Sequence, residues 1–483
     1  MVFASPVFLF LFLPLTLLGY FSVRGKLRNI FLLLASLFFY AWGETVYVFI
    51  MLASIGINYL FGILIERGMQ KQADSGGRLA LAGGVTANLL ILVYFKYASF
   101  LVENLNVWLA RLSLPQIALG PVHLPIGISF FTFQAISYLV DIYRGQSSAQ
   151  RSIANCALYI ALFPKLITGP IVRYRDIAAQ LASRTITAAD FSAGVQRFVF
   201  GLAKKVILAN PLGQVADKVF AIPNSDLTAG TAWLGVICYG LQIYLDFSAY
   251  SDMAIGLGRM FGFRIPENFD YPYISQSIRE FWRRWHISLS TWFRDYLYIP
   301  LGGNRVAPWR TYLNLTAVFL LCGLWHGASW NFVIWGLLHG VYLVVERAGF
   351  GKVLERLWRP LRLGYTLLLV TIGWVFFRAA DLPQALSYLA AMFGGHGAVG
   401  SQYDTLMYLN NKIIITLLAA IAASTPVAQV IGRRLEASMF EDTRIFVRGV
   451  VSTAYICLLC ALFLFSVAYL AAGTYNPFIY FRF

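Results

Sequence analysis

Of the 483 residues, 59% are hydrophobic and 12% are charged, half the charged share of about 25% in an ordinary soluble domain. One aqueous core cannot hold that much apolar surface, because cores stop growing at a few hundred residues, so a soluble protein is excluded. The formal net charge of +16 falls in short basic clusters between apolar runs. That is the pattern of loops on the inner side of a membrane, and it excludes nucleic acid as the partner.

Apolar runs recur at residues 7–22, 29–42, 46–65, 79–95, 122–141, 152–170, 192–212, 231–260, 311–324, 329–346, 362–378, 411–431 and 446–471. Several are too short to cross alone. At roughly twenty residues per crossing they predict an all-α polytopic membrane protein with about eleven transmembrane helices plus re-entrant or tilted ones. No basic residue precedes the first run and no small-residue cleavage site follows it, so it is expected to be a retained span. Arg24, Lys26 and Arg28 follow the first run, and Arg67, Lys71 and Arg78 follow the third, whereas Trp42-Gly43-Glu44 between them has no basic residue. Both basic loops are therefore expected in the cytoplasm and the N-terminus outside, and Arg144 and Arg151 after the fifth run agree. Without an internal repeat, a low-complexity tract or a soluble segment, residues 1–483 read as a single membrane domain.

From Tyr244 to Arg305 the chain is rich in Asp, Arg, Tyr and Trp yet flanked by clear spans, which suits backbone that dips into the membrane along a protein-walled cavity. His286 lies there, in EFWRRWHISLSTW. As one helix this run would put Trp282, Trp285, Leu289 and Trp292 on one face, with Arg283 and Ser290 opposite. An interfacial amphipathic helix explains the tryptophans but not the histidine. His326 lies in LCGLWHGASW, where an ionisable group at membrane depth is a functional candidate. Gly323 and Gly327 would let a ligand or another backbone approach it. An imidazole can take a proton from an attacking hydroxyl, and a packing histidine bonded to a carbonyl is the plain alternative. Asp246 and Asp252 read as partners for Arg259 or Arg264, or as groups orienting an imidazole. His339 follows His326 by 3.6 turns if one helix continues through both. His123 and His396 receive no role.

The five cysteines (Cys156, Cys238, Cys322, Cys457 and Cys460) are read as buried small hydrophobes, with no metal or disulfide spacing among them. Cys322, one turn before His326, is not expected to carry an acyl thioester, since buried cysteines are inert. No phosphate-binding loop, GxSxG elbow or HExxH motif is present.

The runs LPIGISFFTFQAISYLVD, LFPKLITGPIVRY, YLDFSAYSDMAIGLGRMFGF, ENFDYPYISQSIREFWRRWHISLSTWFRDYLYIPLGGNR and GLWHGASWNFVIWGLLHG closely resemble the membrane-bound O-acyltransferases. The match extends over nearly the full length, with core motifs at about 122–346, and is nearest the bacterial branch of alginate O-acetylases. It weakens between about 380 and 445. The resemblance implies a funnel of helices in a bacterial inner membrane, with a thinned region around the active-site histidine. It also implies an acyl thioester, acetyl-CoA, supplied from the cytoplasm as substrate rather than as bound cofactor. The acceptor would be a cell-surface polysaccharide, reached directly or through a periplasmic acetyltransferase partner. PLGGNR (300–305) favours acetyl over the D-alanyl of a related branch. By the same resemblance His326 is the catalytic histidine and His286 the second polar position. His286 and Asn304 would hydrogen-bond the thioester carbonyl or substrate, Arg283, Arg284 and Arg305 would meet CoA phosphates, and Asp246 is a weaker site residue. A transporter or flippase built around buried His and Asp is the competing class, and a non-catalytic secretion subunit is a third.

Overall fold

The computed structural model describes residues 1–70, 74–395, 403–427, 429–430, 445–473 and 475–477, and among them every regular element is a helix. Lys71, His396 and the end of the 411–431 run lie outside the described residues. Five helices are long and apolar enough to cross a bilayer: Val48–Gln70, Ser75–Arg111, Trp330–Arg356, Arg359–Arg378 and Gly449–Ala471. Shorter apolar helices at Phe8–Ser22, Leu27–Ala41, Ile128–Tyr143 and Asn411–Ala423 join them. Large apolar side chains such as Leu18, Leu34, Phe49 and Leu464 are exposed on these helices, as expected of surfaces that face lipid. The chain is a multi-pass membrane protein.

Around this frame the apolar runs resolve in three ways. The 79–95 run belongs to a longer helix, Asp74–Arg111, because the charge at Lys96 finds acceptors inside the protein and does not end it. The 192–212 run is the middle of a helix from Ala188 to Phe220 that passes through a wider π-helical stretch at Lys204–Ala209. The 152–170 run, by contrast, is broken. Ile153–Ala161 is helical, Phe163–Leu166 makes one further turn, and the chain then runs irregularly to Arg173. Pro164 supplies no N–H to continue the first helix. At Gly169 a Cβ would meet Lys165 Cα at 2.4 Å, so the tight turn there needs glycine. Residues 156–174 are all buried, and irregular backbone at membrane depth is tolerated only inside such a protein wall.

Ala229–Met260 is the central helix, buried along most of its length. Its acids do not pair with Arg259 or Arg264. Asp246 meets Lys205 at 2.9 Å, and Asp252 meets Arg197 at 2.7 Å and Lys204 at 2.5 Å. All three cations come from the neighbouring 188–209 helix. Cys457 and Cys460 also depart from expectation, being exposed on the outer helix Ile445–Ala471.

The EFWRRWHISLSTW run is two short helices, Ile278–Arg284 and Ile287–Phe293, separated at Trp285-His286. Trp282, Trp285, Leu289 and Trp292 are buried in the protein core. They are not interfacial anchors, because the break turns them toward the central helix and its neighbours.

The two ends of Val48–Gln70 separate the charged loops. Beside its start, Glu44 accepts His123 Nε2 at 3.1 Å, and a Cβ at Gly43 would lie 3.3 Å from the Met1 amino nitrogen. Near its other end Glu66 pairs with Arg151. If the basic loops are cytoplasmic, a cysteine at Gly43 in a chain lacking its native cysteines is expected to react with an impermeant thiol reagent in intact cells. A cysteine at Ser75 is expected to be shielded, and the reverse pattern would invert the orientation.

Candidate active site

The helix Pro308–His326 begins with proline, which lacks only an N–H that would be unpaired there, and ends on His326, where Gly327 turns extended (φ −166°, ψ 155°). That break puts His339 on a separate returning helix, Trp330–Val345, and not further along the same one. Glycines press the two helices together. A Cβ at Gly323 would lie 2.2 Å from Phe332 O, and one at Gly336 would lie 2.3 Å from Phe319 O. Gly323 therefore serves backbone approach. His326 is 6% exposed, and Trp325, Trp335 and Phe377 present their rings edge-on at 5.0, 5.0 and 5.1 Å. Neither of its ring nitrogens has a hydrogen-bond partner among the described residues. The plain alternative, an imidazole bonded to a carbonyl, does not hold for His326.

His286 is fully buried and adopts φ +43°, ψ 55°, a left-handed conformation rare for a side-chain-bearing residue. Asn268 holds it there. Ile287 N donates to Asn268 O at 2.9 Å. Asn268 Oδ1 accepts from Ser288 N at 3.1 Å and Ser288 Oγ at 2.9 Å, and lies 3.2 Å from His286 Nδ1. A backbone N–H can only donate, so the Ser288 bond fixes the amide oxygen, and His286 Nδ1 must then carry the proton. In the neutral imidazole Nε2 is left as a lone pair, and it too has no partner among the described residues. In this tautomer Nε2 presents an acceptor, which suits a hydrogen bond from a donor group on the substrate. Trp325 stands between the two histidines, 6.0 Å from one ring and 5.0 Å from the other, and its indole N–H is likewise buried and unpartnered.

A cavity of about 870 Å³ lies beside this cluster; neither histidine lines it, and it comes nearest through Ile287, next to His286, and Cys322, one turn before His326. Its lining includes Trp282, Ile287 and Cys322 at the histidine end, and Arg279, Arg283, Arg294, Arg347, Tyr298 and Asn304 elsewhere. Four guanidiniums and no carboxylate line it. Asn304 Oδ1 accepts from Tyr298 Oη at 2.5 Å and from Arg347 at 2.8 Å. Asp295 ties Arg294 (2.7 Å) and Arg173 (2.7 Å) to the Arg144 side chain, which donates to its carbonyl at 3.1 Å. The Arg294 part of the lining is thus linked to the loop that holds Arg144 and Arg151.

Of the anticipated site residues, the structure gathers His326, His286, Asn304 and Arg283 around or beside this cavity. It places the other three away from the lining. Arg284 is held by Asp270 and Glu280, each at 2.9 Å. Arg305 is exposed beyond the Gly302 turn, and Asp246 is paired with Lys205 in the central helix. Sequence reasoning missed Asn268, Arg279, Arg294 and Arg347, which are ordinary polar residues until the fold converges them. It also missed Lys96, whose signal was a lone charge inside an apolar run.

Buried imidazoles beside an arginine-lined cavity give this polytopic helical protein a candidate membrane-embedded site. The sequence pattern of the membrane-bound O-acyltransferase family matches residues 146–353, and the chain belongs to that family. It is 43% identical to a probable alginate O-acetylase AlgI of Pseudomonas putida, over all of both chains. A protein of the same name from Azotobacter vinelandii is 48% identical over 87% of this chain and 83% of its own. A peptidoglycan O-acetyltransferase of Helicobacter pylori is 38% identical over 82% and 80%. The chain is an acyltransferase, and the transporter and non-catalytic readings give way to that.

Proposed function

We propose that this acyltransferase moves acetyl from cytoplasmic acetyl-CoA to hydroxyls of an exported cell-surface polysaccharide in the bacterial inner membrane. Alginate is the first candidate acceptor, reached directly or through a periplasmic acetyltransferase partner. The observation that carries the reading is the arginine-lined cavity, whose inner wall includes Cys322, one turn from His326. Guanidiniums suit the phosphates of CoA, and a site of about 870 Å³ falls in the usual range for a ligand pocket.

In this mechanism His326 takes the proton of the acceptor hydroxyl as its oxygen attacks the thioester carbonyl carbon. The His286 Nε2 lone pair receives a hydrogen bond from a neighbouring hydroxyl of the acceptor sugar, which aligns the attacking one. Collapse of the tetrahedral oxyanion breaks the carbon–sulfur bond, and His326 returns the proton to the thiolate. The products are an acetyl ester and free CoA. Because the thioester is already activated, the protein supplies position, a base and a dry site.

Purified protein given acetyl-CoA and alginate oligomers, with and without a partner domain, is expected to release free thiol. No release with alginate, peptidoglycan or cellulose acceptors would overturn the reading. Arg283→Glu and Arg347→Glu are each expected to raise the acetyl-CoA KM about tenfold, the loss of one charge-assisted bond, with kcat little changed. Arg284→Glu is expected to lower stability by breaking the Asp270 and Glu280 contacts, with KM unaltered. An unchanged KM in both lining variants would leave the cavity arginines without a role in donor binding.

A further inference from the structure

The last carbonyls of any α-helix lack partners within it. Many helices meet that need with a glycine turn, but the Pro308–His326 helix passes straight into extended chain at Gly327. Two adjacent residues of Asp74–Arg111 supply the missing donors. Tyr97 Oη donates to Leu324 O at 2.7 Å, and Lys96 Nζ donates to Trp325 O and, at 3.2 Å, to His326 O. Three successive carbonyls, 227 to 230 residues distant in sequence, are thus satisfied by one dipeptide.

Lys96 has a third contact, Ser129 Oγ at 3.3 Å, and its ammonium lies 5.8 Å from the Trp325 ring. No carboxylate lies within ion-pairing distance of it among the described residues. A cation inside an apolar helix is expensive, and here its acceptors are the negative end of the helix dipole directly beneath the His326 imidazole. The same contacts hold Trp325, the ring between the two histidines.

We propose that Lys96, assisted by Tyr97, is a positioning residue for acyl transfer. It clamps the final turn so that His326 and Trp325 keep their placement against His286. The proposal rests on the acyltransferase mechanism above and adds a residue that touches neither donor nor acceptor.

The test follows thiol release from acetyl-CoA by the full-length protein in nanodiscs. Lys96→Met keeps the length of the side chain and removes an ionisable group from the membrane, so its folding is not threatened by added charge. Its kcat is expected to fall about 10- to 100-fold, as for a small misplacement of a catalytic group, with acetyl-CoA KM and melting temperature near wild type. Lys96→Arg, which keeps a cationic donor, is expected to recover most of the lost kcat. Tyr97→Phe, losing one bond, is expected to lower kcat about threefold, in line with a net contribution near 0.5–1 kcal/mol. Wild-type kcat in Lys96→Met overturns the proposal, as does a Lys96→Arg protein no better than Lys96→Met. A Lys96→Met whose kcat, KM and melting temperature all worsen together marks a packing role and overturns it as well. Should Lys96→Met fail to fold, wild-type kcat in Tyr97→Phe overturns it. A wild-type protein that releases no thiol defeats the thioester reading itself, before any Lys96 comparison is made.

Discussion

His326→Ala is expected to abolish thiol release and acetyl transfer while the protein still elutes as one folded species. Loss of a general base typically lowers a rate by about 10²–10⁴, well beyond the scatter of a membrane assay. The imidazole lies at the end of its helix with neither nitrogen hydrogen-bonded among the described residues, so its removal breaks no hydrogen bond seen among them. His286→Ala is expected to reduce turnover by a smaller factor. His396→Ala and Cys322→Ser are expected to remain close to wild type, the latter because no cysteinyl intermediate enters the mechanism. Full activity in folded His326→Ala would falsify the mechanism, whatever the family.

Asn268→Leu is expected to have the next largest effect, a fall in kcat of about 10²-fold. That is less than the roughly 10⁴ lost when a catalytic histidine is left in the wrong tautomer elsewhere. One side-chain oxygen fixes the protonation of His286 and anchors Ser288, while the backbone of Asn268 holds Ile287. Leucine retains that backbone bond and removes the acceptor, freeing the imidazole to place its proton on Nε2. Asn268→Asp offers the same donors an oxygen and is expected to retain more activity than Asn268→Leu when equal amounts of folded protein are assayed. If both variants turn over like wild type, the lone pair on Nε2 plays no part.

The two candidate histidines were legible because an ionisable residue in an apolar run is conspicuous and because their flanking motifs resemble a family. Their surroundings were not. Nothing in EFWRRWHISLSTW shows that a helix breaks at His286, since the left-handed turn is imposed by Asn268, eighteen residues earlier. The run at 152–170 was read as a span on hydropathy, and hydropathy does not distinguish apolar residues facing lipid from those packed inside protein. Arg284 and Arg283 are adjacent and chemically equal, and only the positions of Asp270 and Glu280 assign one to an ion pair and the other to the cavity. The charge at Lys96 marked the end of a run by composition, yet the helix continues to Arg111.

The ion pairs of the central helix bear on how the protein enters its membrane. An aspartate at the middle of an inserting helix costs about 2.5–3.5 kcal/mol, and Ala229–Met260 carries Asp246 and Asp252. Leaving the translocon alone, that segment would meet lipid with both acids bare. Lys204 and Lys205, with Arg197, lie in the helix synthesised just before it, which avoids a wait for distant partners during synthesis. Each segment by itself is a poor substrate for lateral release, one cationic and one anionic. Entering lipid as a hairpin, the two segments leave none of these five charges without a counter-ion, because the three cations meet the two aspartates and Arg197 also meets Glu267 just beyond the central helix.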